Sequence, residues 1–179
     1  MMFVIAFSIV ALAGLGLALL LRGMAAKVNA VEDLVGRTVP VDLEAFRNLI
    51  DPNETLWLAQ QLASHDFRRI QRRRIRAVLA YVALTGRNAA LLLRLGEAAR
   101  DSGDAEVADA GRQLASLALA VRFYVVLARL RLAAVYLWPS RAGLLNLPLA
   151  DQYDTLVGRF RIVGQLQDRA QASRLLATL

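Results

Sequence analysis

A chain of 179 residues carries 22 basic against 15 acidic side chains, a net charge of +7, with 57% apolar residues and no cysteine. Lack of cysteine excludes disulfides, thiolate zinc sites and a cysteine nucleophile, and the apolar share exceeds the about 45–50% usual in a soluble domain. The basic balance points to polyanions, either phospholipid headgroups or nucleic acid. A single lysine, Lys27, stands among the basic residues and the rest are arginine. With abundant Ala and Leu, this resembles the usage of a GC-rich bacterial coding sequence.

Residues 2–21 read MFVIAFSIVALAGLGLALLL, without a charge and with Ser8 as the one strongly polar side chain. At ~1.5 Å per residue, about 20 residues cross a hydrocarbon core of about 30 Å, and a backbone there must be helical to bond its own polar groups. The sequence predicts a transmembrane anchor over 1–22, ended by Arg22. A cleaved signal peptide is the competing reading. No basic residue precedes Arg22, however, and the one plausible cut, after Val28-Asn29-Ala30, lies beyond Arg22 and Lys27. A buried core helix is a third reading. Arg22, Lys27 and Arg37 all follow the span. The distribution of positive charge therefore places the N-terminus outside and residues 22–179 in the cytoplasm, beneath a bacterial inner membrane crossed once. Gly14-x-x-x-Ala18 could let two spans pack closely, although such pairs arise by chance in a segment this rich in Ala and Gly.

Residues 23–40 read as a juxtamembrane connector, punctuated at its end by Gly36 and Pro40; residues 41–179 form the helical domain. A short amphipathic helix is predicted near Asp42 to Ile50, with Leu43, Phe46, Leu49 and Ile50 on its apolar face. Asp51-Pro52-Asn53-Glu54 is a helix start, with Asp51 as cap, Pro52 in the first turn and Glu54 three residues after the cap. No proline follows for fifty residues, which predicts one long helix from about 52 to 101 with Gly86 and Gly96 as soft points. Ser102-Gly103-Asp104 predicts a tight turn, Gly103 being suited to a left-handed C-cap and Asp104 to capping the next helix. That helix runs to about Leu137, where Pro139 stops it. A third begins near Pro148 or Asp151, with Tyr153, Leu156, Val157, Phe160, Val163, Gly164 and Ala170 on one stripe. No strand and no internal repeat is legible. The expected fold is all-α: an N-terminal transmembrane helix followed by an up-down bundle of three long helices with a short preceding helix.

The middle helix is apolar on two sides. Val107, Leu114, Val121, Val125, Ala128, Leu132 and Val135 form one stripe; Leu119, Phe123, Val126, Leu127, Leu130, Ala134 and Leu137 lie opposite. A helix of this kind is expected to be buried on both sides, either between its two neighbours or by residues 114–138 entering the membrane. Arg122, Arg129 and Arg131 make the second arrangement costly.

Antiparallel pairing about the 102–103 turn sets Arg76 opposite Arg129 and Arg74 opposite Arg131. Within FRRIQRRRIR (67–76), Arg68, Arg69, Arg72, Arg73 and Arg76 fall within about 140° of one face at roughly 100° per residue. Phe67, Ile70, Ile75 and Val78 point to the core. Arg74 breaks the pattern and must snorkel or find an acid or carbonyl. At the other end, roughly 40–45 Å away along a helix, Glu97, Asp101, Asp104, Glu106 and Asp109 form an acidic tip, partly compensated by Arg100 and Arg112. The basic base gathers Trp57, Tyr136, Trp138 and Arg141, with Leu144, Leu145, Leu147 and Leu149 in an unusually apolar loop. Arginine and tryptophan beside apolar residues is the composition of a membrane-interface contact. The expectation is a base that docks on anionic lipid through Arg68, Arg69, Arg72, Arg73, Arg76, Arg129, Arg131, Trp138 and Arg141, leaving the acidic tip to a protein partner. The plain alternative is a solvated arginine face, with the leucine loop covering the ends of the helices.

No motif for catalysis, cofactor or metal binding is legible. His65 is the only histidine, Gly14-Leu-Gly16 lies inside the apolar run, and no G-x-S-x-G occurs. Asp151/Asp154 and Glu106/Asp109 read as helix N-terminal charges complementing the dipole. Asn53-Glu54-Thr55 fits the helix start better than glycosylation. The expected role is non-enzymatic interaction or scaffolding at a membrane. A membrane-tethered nucleic-acid binder acting through the arginine face is the second class, although no helix-turn-helix or aromatic platform accompanies it. An enzyme with an unfamiliar site is the third, and oligomeric state is not legible.

Overall fold

The computed structural model describes residues 37–137 and 148–178. The expected anchor, most of the connector, and Trp138, Arg141, Leu144, Leu145 and Leu147 lie outside the described residues. Among the described residues every element is helical and none is a strand.

Helix α1 spans Leu43–Ile50; Asp42 caps it, its carboxylate accepting from the Ala45 amide at 3.0 Å. Phe46 and Ile50 are buried, and Phe46 stacks on Tyr81 at 5.3 Å. Asp51 both ends α1 and caps α2 (Pro52–Gln61), accepting from Asn53 N at 2.9 Å, with Pro52 at the first turn where its missing N–H costs nothing.

The single helix expected over 52–101 is in fact two. Leu62 and Ala63 take extended backbone, and α3 begins afresh at Ser64, running Ser64–Arg100. Neither residue is a breaker, and no side chain caps Ala63. The reason is tertiary: the break turns α2 back along α3, which buries Thr55 and brings Glu54 to Arg74.

Helix α4 spans Ala105–Leu137. Asp104 caps it by accepting from Glu106 N at 2.9 Å, and Ser102 Oγ accepts from Asp104 N at 3.2 Å. Gly103 does not enter the left-handed region expected of it, and open space surrounds it. The close approaches lie further along. A Cβ on Gly96 would stand 2.7 Å from Ala115 N, and one on Gly111 would stand 2.7 Å from Arg100 N. Gly96 is thus not a soft point but a site where two backbones touch. These contacts, with Gly86 against Val125, set a register about five residues further along α4 than counting from the turn suggests. Arg129 and Arg131 therefore do not stand level with Arg76 and Arg74.

The α4 stripe Val107, Leu114, Val121, Val125, Ala128, Leu132 and Val135 is buried in full. The opposite face is not: Leu119, Phe123, Leu130 and Ala134 are exposed, and Val126 and Leu127 half-buried. Helix α5 spans Leu149–Thr178 and packs along α4 through Tyr153, Leu156 and Val163. Leu149, expected in the loop, is its buried first residue. Helix α4 lies between α3 and α5, and α1 covers one side of the layer, leaving the outer face of α4 without a neighbour among the described residues.

Two polar ties fix this layout. Asn88, buried on α3, donates to Val39 O and to Tyr153 Oη, each at 2.7 Å, and accepts from Val39 N at 3.2 Å. It holds the chain entering α1, α3 and α5 together. Arg47 on α1 reaches Asp151 at 3.0 Å and Asp154 at 3.1 Å on α5, so these two acids serve an ion pair as well as a helix start.

Candidate polyanion-binding face

The first third of α3 separates its arginines by helical phase. Ile75 and Val78 are buried, Phe67 and Ile70 half-buried, while Arg68, Arg69, Arg72, Arg73 and Arg76 are exposed. Together with His65 they line an open groove of about 300 Å³. Asp66 neutralises one of them, standing 3.5 Å from Arg69. Arg68, Arg72, Arg73 and Arg76 have no acidic partner among the described residues. The Arg72 guanidinium lies 5.9 Å over the Tyr136 ring of α4, a cation–π contact that holds it without discharging it. Four like charges along ~12 Å of helix repel one another, so the groove favours an anion.

Arg74 turns the other way. Its Nη2 donates to Glu54 at 2.8 Å and to the carbonyls of Leu49 at 3.1 Å and Asn48 at 3.3 Å. The cation sits at the C-terminal end of α1, where the helix dipole is negative. Beside it, Gln71 is fully buried, and neither of its amide atoms nor Arg74 Nη1 has a hydrogen-bond partner among the described residues.

Arg129 is exposed and Arg131 half-buried on α4, and neither lines the groove. Trp138 and Arg141 lie outside the described residues. Trp57 is exposed on α2. The five tip acids do gather about the α3–α4 turn. Glu97 meets Arg94 at 3.2 Å, Asp109 meets Arg112 at 3.1 Å, Asp101 lies 3.7 Å from Arg100, and Asp104 caps α4. Glu106 and Asp109, with Gln113 and Arg159, line an open hollow of about 220 Å³ between α4 and α5. Arg122, buried on α4, has its guanidinium pKa lowered by burial and further by Arg94, with Glu97 opposing. Among the described residues no three His, Asp or Glu side chains converge as metal ligands.

Among the described residues one helix, α3, is long and apolar enough to cross a membrane by length and composition. Core helices pass the same test, and Val78, Val82, Ala89 and Leu92 of α3 are taken up by packing within the chain. No family model matches the chain, and no curated protein or solved structure is significantly similar to it.

Proposed function

We propose that this protein is a single-pass, membrane-anchored three-helix bundle with a scaffolding role, whose arginine face rests on anionic phospholipid. The apolar run 2–21 is its anchor, and the domain after it lies on the cytoplasmic side of a bacterial inner membrane. The observation that carries the reading is the exposed groove of Arg68, Arg69, Arg72, Arg73 and Arg76, which has one acid, Asp66, against five cations. A basic side chain at an anionic leaflet contributes about 1 kcal/mol, so four or five orient a domain already tethered beside that surface. The acidic tip then faces away, toward a protein partner. The chemistry asked of the site is electrostatic, with no bond made or broken.

The test is flotation of residues 31–179 with vesicles, the anchor being removed so that only the face reports. Binding to phosphatidylglycerol vesicles, absent with phosphatidylcholine and reduced by salt, is the expected result. Equal binding to both would remove the reading. Tighter, salt-dependent binding to duplex nucleic acid than to anionic vesicles would replace it with the nucleic-acid role.

A further inference from the structure

The arginine groove is not an even stripe of charge. Arg68, Arg69 and Arg72 form a set of three that recurs four residues on as Arg72, Arg73 and Arg76, with Arg72 common to both. The two sets are offset by roughly 6 Å along α3, about one turn, and all these side chains line the same open hollow. The shared residue is also the one held in place, its guanidinium lying 5.9 Å over the Tyr136 ring of α4. Asp66, 3.5 Å from Arg69, answers part of the charge of the first set. It is paired with no member of the second.

The groove is also short. Beyond Arg76 the same side of α3 presents Leu79, Ala80 and Ala83, exposed and uncharged, before Arg87. The charge is thus gathered into about 12 Å of helix. A long polyanion would run off this stretch. A lone monoanionic phosphate would occupy one set and leave the cations of the other repelling one another. A compact headgroup with two phosphates answers both sets at once. Guanidinium donors match phosphate oxygens in pairs, and joining the phosphates makes the second contact intramolecular.

We propose that the groove takes an anionic lipid with two phosphates on one headgroup, one phosphate at each set of three, in preference to lipids with a single phosphate. Phosphates joined through one glycerol can be set about a helical turn apart. Arg72 stands between them and serves both, and Tyr136 positions it. The inference rests on the lipid reading above and narrows it to one headgroup class.

The test uses full-length protein in micelles of a non-ionic detergent doped with cardiolipin or with phosphatidylglycerol, compared at equal total phosphate. The chain has no cysteine, so Ala83→Cys, exposed on α3 just beyond the groove, carries the only thiol. A fluorophore attached there reports lipid arriving at the groove. Half-saturation with cardiolipin is expected at roughly tenfold lower phosphate, less than the usual gain from linkage because separate lipids are already crowded in a micelle. Arg72→Gln should remove this preference. Arg68→Gln and Arg76→Gln, each losing the same charge, should keep part of it. Tyr136→Leu, which keeps every charge, should reduce the preference and leave phosphatidylglycerol binding unchanged. Arg87→Gln should change neither, and circular dichroism checks that each variant keeps its helix content. Equal half-saturation by the two lipids would overturn the two-phosphate inference and leave docking on anionic lipid standing. Equal losses from Arg68→Gln, Arg72→Gln and Arg76→Gln would overturn it too, since charge alone would then account for the preference. A preference undiminished in Arg72→Gln would place its origin outside the groove and overturn it equally. Binding of neither lipid would overturn both readings.

Discussion

Glu54 and Arg74, separated by 20 residues, meet at 2.8 Å. On an unbroken helix they would stand about 30 Å apart. Their contact therefore depends on the break at Leu62 and Ala63, and it fastens α2 and the end of α1 to α3. Arg74→Ala is expected to cost about 2–3 kcal/mol, since it removes a buried side chain with three acceptors and leaves a void, while the half-exposed Glu54 can turn to water. Glu54→Gln should cost about 1 kcal/mol, because the carbonyls of Asn48 and Leu49 still hold the guanidinium. Urea unfolding followed by circular dichroism ranks the two; equal losses would mean that the carbonyl contacts carry nothing.

Gly96 and Gly111 mark the closest approach of α3 to α4. Alanine at either place meets backbone rather than a side chain that can move aside, so each substitution should cost about 1–3 kcal/mol. Gly103→Ala, in open space at the turn, should change the same unfolding midpoint little. A large loss at Gly103 with none at Gly96 would reverse this description of the helix contact.

Gln71 has its amide fully buried and without a partner among the described residues. Replacing a desolvated, unbonded amide by an apolar group of similar size relieves the penalty, so Gln71→Leu should stabilise by about 1–2 kcal/mol. A lowered unfolding midpoint would show that the amide has a partner that the protein needs.

Burial raises the Tyr153 pKa from 10.0, and the hydrogen bond from Asn88 lowers it by less. A raised folded-state value means that the folded protein holds the phenolic proton more tightly than the unfolded chain. The stabilisation is complete below about pH 10 and is lost as pH rises through the folded value. Stability should therefore fall more steeply above pH 10 in the native protein than in Tyr153→Phe, as measured by urea midpoints between pH 8 and pH 11.

Much of the local structure was legible because it is written in local chemistry. Asp51 and Asp104 cap where the sequence expects caps, and the first stripe of α4 is buried throughout. What escaped is tertiary. The break at Leu62 and Ala63 has no Gly or Pro to announce it. Gly96 reads as a soft point until the facing backbone, at Gly111 and Ala115, is in place. Asn88 gave a faint signal as the lone amide within Ala83–Leu93, but its partners, Val39 and Tyr153, are distant in sequence. The arginine face followed from helical phase alone, yet Arg129 and Arg131 were assigned to it by a register that the glycine contacts displace. The second apolar face of α4 was visible in the sequence. That no described element covers it was not.

The most direct measurement of the central claim is the affinity of residues 31–179 for phosphatidylglycerol vesicles, with and without Gln at Arg68, Arg69, Arg72 and Arg73. Four cations at about 1 kcal/mol each correspond to a loss of roughly a thousandfold in affinity, with helix content unchanged. Equal affinity of the native and four-Gln proteins would contradict the role assigned to the arginine face.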